Sequence, residues 1–395
     1  MAGIDKADQV PLEGYFGEPH DDYEPLVYDQ SQAATFLPDN PADWDPELTD
    51  LPGQESADGG KPPKSSRKFT AKRKKKDEGL TSRLDIARAL TIPPAPREFA
   101  LPCLRLGTVG GLVSPGGAGK SMLAMQLALM LATGVDTLGG LVRRPGWQDV
   151  KTGGVLYASL EDGPDDAAAR LHSIWQALGQ KATDGALRRA GENLTVETLT
   201  GMKAPDLLDG GDWAEWLDKA STGKRLVILD TLRTSHLADE NDAAAMSRLL
   251  AVLQGAAIRN GLAVLFLHHT SKAATLAGQG NVQQAARGSS VITDNARGQY
   301  YLTGVGELDC AEDGRPLRDL DLMLPLDGQD DEGRPNRLRY ARFGVSKSNY
   351  SAPWPQVWLR RNESGVLTCA NVGVATGASA QKQPATGKPS GGRRA

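Results

Sequence analysis

The sequence predicts an α/β fold with a mostly parallel central sheet flanked by helices. Three observations carry that expectation. Short apolar runs alternate with helical runs between about residues 81 and 305. A glycine-rich stretch, SPGGAGKS at residues 114–121, separates a strand-like run from a helix-like one. Several further apolar runs end in carboxylates or imidazoles, the position at which open α/β sheets hold ligands.

The elements follow in order. Residues 108–113 read as a strand and Lys120–Thr133 (KSMLAMQLALMLAT) as a buried helix. GVLYASL at 154–160 reads as a strand that stops at Glu161 and Asp162, before an amphipathic helix over 165–178. A strand is expected at 194–199. RLVIL at 225–229 is a buried strand ending at Asp230. Residues 242–259 form a helix with Met246, Leu249, Leu250 and Leu253 on one face. Residues 262–267 form another buried strand, ending at His268 and His269, and 300–302 one more. The acidic, Gly/Pro-rich segment 306–335 reads as a loop or insertion. Residues 338–370 hold β-like runs with a turn at 362–365. The domain plan is a terminal arm (1–78), a core (79–305), the insertion with the last strands (306–371) and a tail (372–395).

Charge is segregated. The net formal charge is −4, yet residues 1–60 hold fifteen acids and one base, and residues 61–76 hold nine bases and no acid. Such composition, like that of the tail, predicts disordered extensions rather than packed domains. The basic run reads first as a solvated linker, with a single aromatic, Phe69, for base stacking. Three scattered cysteines give no zinc-like cluster. No run approaches the ~18 uninterrupted apolar residues of a membrane span. The expectation is a soluble, cytoplasmic protein.

The glycine-rich stretch has the context of a phosphate-binding loop. Backbone N–H groups of Gly116, Gly117, Ala118, Gly119, Lys120, Ser121 and Met122 would close around phosphates at a helix N-terminus. Lys120 would reach the β- and γ-phosphates, and the Ser121 hydroxyl would bind Mg²⁺. Ser114 stands where the motif has its first glycine, and Gly116-Gly117 is expected to supply the unusual backbone angles instead. Asp230 is the second Mg²⁺ candidate. Glu161 is the candidate for polarising an attacking water, with Asp162 as rival and a helix cap as the bland alternative. His268 and His269 are candidates for contact with the γ-phosphate, or for a structural hydrogen bond.

The series GGAGKS, YASLED, LVILDTLRTSH, DEND, LAVLFLHHTSK and ARGSSVITDNAR resembles the RecA-like ATPases of the plasmid RepA type, which are ring-forming hexameric replicative DNA helicases. The resemblance spans about residues 98–305, with added support from VSKSNY at 345–350. It implies a RecA-like P-loop NTPase core that uses ATP and Mg²⁺. It implies single-stranded DNA, further copies of the chain in a homo-hexamer and replication proteins as partners. By the same resemblance Lys120 and Ser121 bind nucleotide and Mg²⁺, Glu161 is the catalytic glutamate, Asp230 the acid of the second motif, and His269, with His268 beside it, the γ-phosphate sensor. Arg297 matches the arginine finger that reaches a neighbouring subunit, with Arg287 as competitor, and Lys347 points toward the same neighbour. Segments 234–242 and 270–286 are the expected DNA-gripping loops. The arm, the tail and the 306–335 segment depart from the compact RepA pattern. Two other functions stay open: a DNA-dependent ATPase switch or recombination mediator that does not translocate, and a DNA-binding adaptor working through residues 61–76.

Overall fold

The computed structural model describes residues 84–376, apart from 149, 200–205, 271–289, 307–308, 312 and 352. The expected acidic and basic arm lies outside the described residues. So do Arg287 and most of segment 270–286.

The chain enters through a short helix, α1 (Ile86–Thr91), and a hairpin, β1 (Phe99–Leu101) with β2 (Leu104–Arg105). The main sheet then builds from β3 (Val109–Ser114), β4 (Gly154–Ser159), β5 (Leu194–Thr198), β6 (Lys224–Asp230), β7 (Ala263–His269) and β8 (Gly298–Gly304), all parallel. Between them lie α2 (Lys120–Thr133), α3 (Pro164–Leu178), α4 (Asp184–Asn193), α5 (Asp212–Ala220) and α6 (Ala243–Asn260). Strands β9 (Leu317–Asp319) and β10 (Leu324–Pro325) pair with each other. Then β11 (Tyr340–Ser348), β12 (Val357–Arg361) and β13 (Leu367–Ala370) extend the sheet antiparallel, and β14 (Val372–Val374) returns to β9.

The nine-stranded order is β13-β12-β11-β8-β3-β7-β6-β4-β5. Strand β7 therefore separates β3, which leads into the glycine-rich loop, from β6, which ends at Asp230. This is the RecA-like P-loop architecture: a mostly parallel sheet with helices on both faces. Helices α2 and α3 pack on one face with Leu112, Tyr157 and Ile228. Helices α5 and α6 pack on the other with Leu156, Val227 and Phe266. Period-2 alternation within each buried strand sends neighbours to opposite cores, so the strands read as continuous apolar runs.

The expected elements appear with shifts of one or two residues at their ends. Asp242, read as the first residue of a helix, is its N-cap, accepting from the backbone N–H groups of Ala244 and Ala245 at 2.9 and 3.1 Å. Helix α2 is buried nearly all round and carries one fully buried polar side chain, Gln126. That amide donates to the carbonyls of Thr137 and Leu367, both at 2.8 Å, and accepts from the Leu367 N–H at 3.0 Å. Gln126 thus fastens α2 to β13 without an unsatisfied polar group. Two expectations need correction. Segment 306–335 is not all loop, since β9 and β10 form there. The segment from 372, expected as tail, begins with β14, which pairs with β9 across Val372↔Asp319. Buried Asp319 anchors both, accepting from the Tyr340 hydroxyl at 3.0 Å, with Arg360 3.5 Å away. No helix among the described residues is long and apolar enough to cross a membrane.

Gly111 marks the tightest point of the β3–β7 packing, because a Cβ there would sit 2.7 Å from the Phe266 ring. Gly111→Val is expected to destabilise the fold by about 1–3 kcal/mol through overpacking, read as a lower urea midpoint at unchanged slope.

Candidate functional site

Strands β3, β4, β6 and β7 are parallel, so their C-terminal ends share one edge. That edge carries Ser114, Glu161, Asp230 and His269. Ser114 is the last residue of β3, fully buried and in register with His269. Its carbonyl accepts from the Thr270 N–H at 3.1 Å, and its hydroxyl donates to the Pro115 carbonyl at 3.1 Å. An extended residue needs no glycine, which explains the serine. The left-handed angles fall on Gly117 (φ +74°), one of the two glycines expected to supply them, and on Gly119 (φ +95°), while Gly116 is not among the positive-φ residues. Gly119 then caps the N-terminus of α2, so Ala118 to Met122 surround the start of that helix.

Lys120 opens α2 and is buried. Its ammonium donates to Nε2 of His269 at 3.2 Å, which calls for a neutral ring protonated on Nδ1. His268 takes the other face. It is buried, with Nδ1 3.8 Å from Oε1 of buried Glu240. Strand alternation thus separates the pair that the sequence left together: His269 meets the phosphate loop and His268 does not.

Asp230 is 1 % exposed. Oδ2 accepts from the Tyr157 hydroxyl at 2.6 Å, and that hydroxyl also lies 3.3 Å from the Ser121 carbonyl. Burial pushes the Asp230 carboxyl above its ordinary pKa. Hydrogen bonds from Tyr157 and Ser121 and the Lys120 charge oppose this, while the Glu161 charge adds to it. Oδ1 is buried without a hydrogen-bond partner. A buried orphan acceptor beside a serine hydroxyl fits a Mg²⁺ ion or its bound water. Burial and the same carboxylate hold the Tyr157 hydroxyl well above its usual pKa, so it remains a donor.

Glu161 stays exposed at the mouth of the site, with Oε1 accepting from Thr231 Oγ1 at 2.7 Å. Its rival Asp162 is engaged by Arg170 at 2.8 Å. Neither caps α3, whose N-cap is Gly163. Glu161 is thus the more exposed of the two carboxylates.

Sequence reasoning missed Arg361. Strand β12 runs antiparallel to β11, and β11 antiparallel to β8, so β12 points the same way as β3. Its last residue therefore arrives at the phosphate loop. The Arg361 guanidinium donates to the Ala118 carbonyl at 2.6 Å, and burial lowers its pKa. A position 243 residues distant leaves no local signal. Arg297 is placed elsewhere. Its N–H donates to the Val109 carbonyl at 2.8 Å, at the start of β3. It is exposed on the opposite sheet edge, the length of β3 (about 20 Å for six residues) from its own loop. Lys347 donates to the carbonyls of Thr293 and Asp294, both at 2.8 Å. Segment 234–242 gives little cationic grip, since His236 and Glu240 turn inward and Leu237, Asp239 and Asp242 face out.

A family model described as an AAA domain matches residues 75–275, just over half of the 395-residue chain. The chain belongs to this AAA domain family. Among solved structures it is similar to one described as an ATPase domain, at 16% identity and TM-score 0.42, covering 66% of this chain and 84% of that one. It is similar to the RadB recombinase, at 14% identity and TM-score 0.39, over 66% and 90%. A third is a DnaB-like replicative helicase described with its interactions with primase, at 16% identity and TM-score 0.42, over 66% and 57%. A P-loop ATPase domain thus accounts for the family match and for the geometry of the loop.

Two variants test the site. Because the folded pKa of Asp230 lies above its unfolded value, the ionised carboxylate costs stability once the pH rises through that folded pKa. Asp230→Asn is expected to unfold at higher temperature than the parent at pH 7. The gain should fade as the pH falls through the carboxylate range, while Mg²⁺-dependent hydrolysis is lost. Arg361→Ala should weaken ATP binding on the order of tenfold by releasing a charge-assisted bond to the loop. Equilibrium titration with a fluorescent ATP analogue reads this, and Arg361→Lys should recover part of it.

Proposed function

We propose that this chain is an ATP-hydrolysing, ring-forming motor of the RepA type that acts on single-stranded DNA as a helicase. The observation that carries the reading is the division of the site between two edges. Lys120, Ser121, Glu161, Asp230 and His269 gather at one end of the sheet, and Arg297 stands at the other. One copy therefore cannot bring Arg297 to its own nucleotide. Copies packed head to tail bring the two edges together, and such heterologous contacts form rings where the rotation closes.

In this reading the loop N–H groups, the α2 N-terminus and Lys120 hold the triphosphate of ATP. Ser121 and Asp230 would hold Mg²⁺, directly or through water, and the ion would supply charge neutralisation for the triphosphate. Glu161 orients the attacking water and accepts its proton as the bond to the γ-phosphorus forms, while the bond from that phosphorus to the β–γ bridging oxygen breaks and ADP leaves. Arg297 of the next copy stabilises the charge on the transferring oxygens. His269, paired with Lys120, registers loss of the γ-phosphate. Strand β7 carries that change to the segment after Thr270, assigned by sequence to DNA contact with Lys272 as its main charge. Segment 234–242, with acids and no Lys or Arg facing out, supports a smaller share for the second loop.

Glu161→Gln is expected to keep ATP binding while lowering kcat by about 10²–10⁴-fold. Single-stranded DNA should stimulate hydrolysis at low salt, and a forked duplex should be unwound. Unchanged turnover with DNA present would remove the motor reading. DNA binding and stimulation without strand displacement would replace it with a non-translocating switch.

A further inference from the structure

A cleft of about 800 Å³ opens beside the β1–β2 hairpin, away from the phosphate loop. Its walls place it at the N-terminal edge of the sheet. Phe99 belongs to β1, Lys151 stands just before β4, and Arg225 is the second residue of β6. The volume is that of a ligand pocket. The walls are held from behind. The Tyr300 hydroxyl donates to the Pro102 carbonyl, and the Ser351 hydroxyl donates to Cys103 Sγ at 3.3 Å. The Trp354 ring packs on Phe343 and Trp147, with centroids 4.9 and 5.4 Å apart. A cleft built on a fixed core loses little entropy when it is filled. Five lining residues are prolines: Pro96, Pro102, Pro145, Pro353 and Pro355. Arg97, Lys151 and Arg225 line it against one carboxylate, Glu98, an excess of two positive charges among the described residues. Glu98 is committed to Lys151 at 3.1 Å and to Arg225 at 3.0 Å. Two lining residues also carry buried N–H groups without an acceptor, Trp354 Nε1 and Arg225 Nε.

We propose that this proline-walled cleft is a docking site for an acidic, proline-containing segment of a partner protein, bound as an extended polyproline-type helix. The inference is independent of the ATPase reading. The chemistry of the walls selects the occupant. Prolines have no N–H, so a partner strand laid along them would find a broken hydrogen-bond ladder. A polyproline-type segment needs no ladder, because its side chains pack into apolar, aromatic-lined grooves. Phe99, Val150 and Trp354 supply apolar surface among the prolines. Such a segment also makes no internal hydrogen bonds, so its carbonyls stay free to accept. Arg97, Lys151 and Arg225 are donors for those carbonyls and for acidic side chains. Among the described residues no carboxylate pairs with Arg97, whose guanidinium carbon lies 5.6 Å from the Tyr350 centroid. A nucleic-acid strand suits the cleft less well. Trp354 is only 7% exposed and has no open face on which a base could stack.

The test is fluorescence anisotropy of a fluorescein-labelled peptide of alternating proline and glutamate, titrated with the full-length chain at low salt. Saturable binding is expected. Arg97→Glu/Lys151→Glu should weaken it on the order of tenfold or more. The thermal midpoint should barely move, since the Lys151–Glu98 pair it breaks is solvent-exposed. If the reversed charges disturb the fold, Arg97→Gln/Lys151→Gln carries the same test with a smaller loss. Val150→Trp narrows the cleft without changing its charge and should also weaken binding. A peptide of alternating glycine and glutamate should bind less tightly than the proline peptide. Equal affinity for the two overturns the proposal and leaves a charge effect alone. Absence of saturable binding, or binding indifferent to all of these variants, overturns it as well. Single-stranded DNA that displaces the peptide, binds more tightly and shows the same loss in Arg97→Glu/Lys151→Glu overturns it in favour of a nucleic-acid surface.

Discussion

The hydrogen bond from Tyr157 to Asp230 is the constraint on which the site depends. Tyr157 sits in β4 and Asp230 ends β6, and the same hydroxyl lies against the Ser121 carbonyl of α2. One buried phenol therefore fixes the spacing of three elements. Its hydrogen bond favours the charged carboxylate, against burial that favours the neutral acid. It also occupies Oδ2 and leaves the other oxygen, Oδ1, buried without a hydrogen-bond partner. Stability and function pull in opposite directions here, as is common where a polar group is buried for a ligand rather than for the fold.

Much of this was legible in the sequence because the elements that build the edge are strongly patterned. Buried parallel strands are continuous apolar runs, and a polar residue that ends such a run must lie at a sheet edge. Asp230, Glu161 and the histidine pair follow from that rule alone. The rule does not say which of two adjacent polar residues faces the site. Strand alternation decides between His268 and His269, and a salt bridge to Arg170 removes Asp162 from contention. Both decisions need coordinates, since they turn on a half-period of rotation and on a partner eight residues away.

The antiparallel strands were the less readable part. Runs at 338–370 are β-like, but their order depends on partners in β8 that share no pattern with them. Reversing direction twice brings β12 back parallel to β3. Arg361 reaches the loop for that reason, and nothing near it in the sequence indicates a phosphate site. The short strands β9, β10 and β14 are similarly hidden. Each is two or three residues long, and they are held by the buried carboxylate of Asp319 rather than by apolar periodicity.

The contact between Arg361 and Ala118 has a consequence for the order of events during synthesis. The phosphate loop leaves the ribosome early, and the residue that braces it follows 243 positions later. Domains assemble from the N-terminus as the chain is made. A nascent chain can thus fold the six parallel strands and still carry a loop whose outer carbonyl is uncovered. Gln126 of α2, fastened to β13, waits for the same late segment. The last strands to emerge are the ones that license the first motif, so a chain interrupted before residue 361 is left with an unbraced nucleotide pocket.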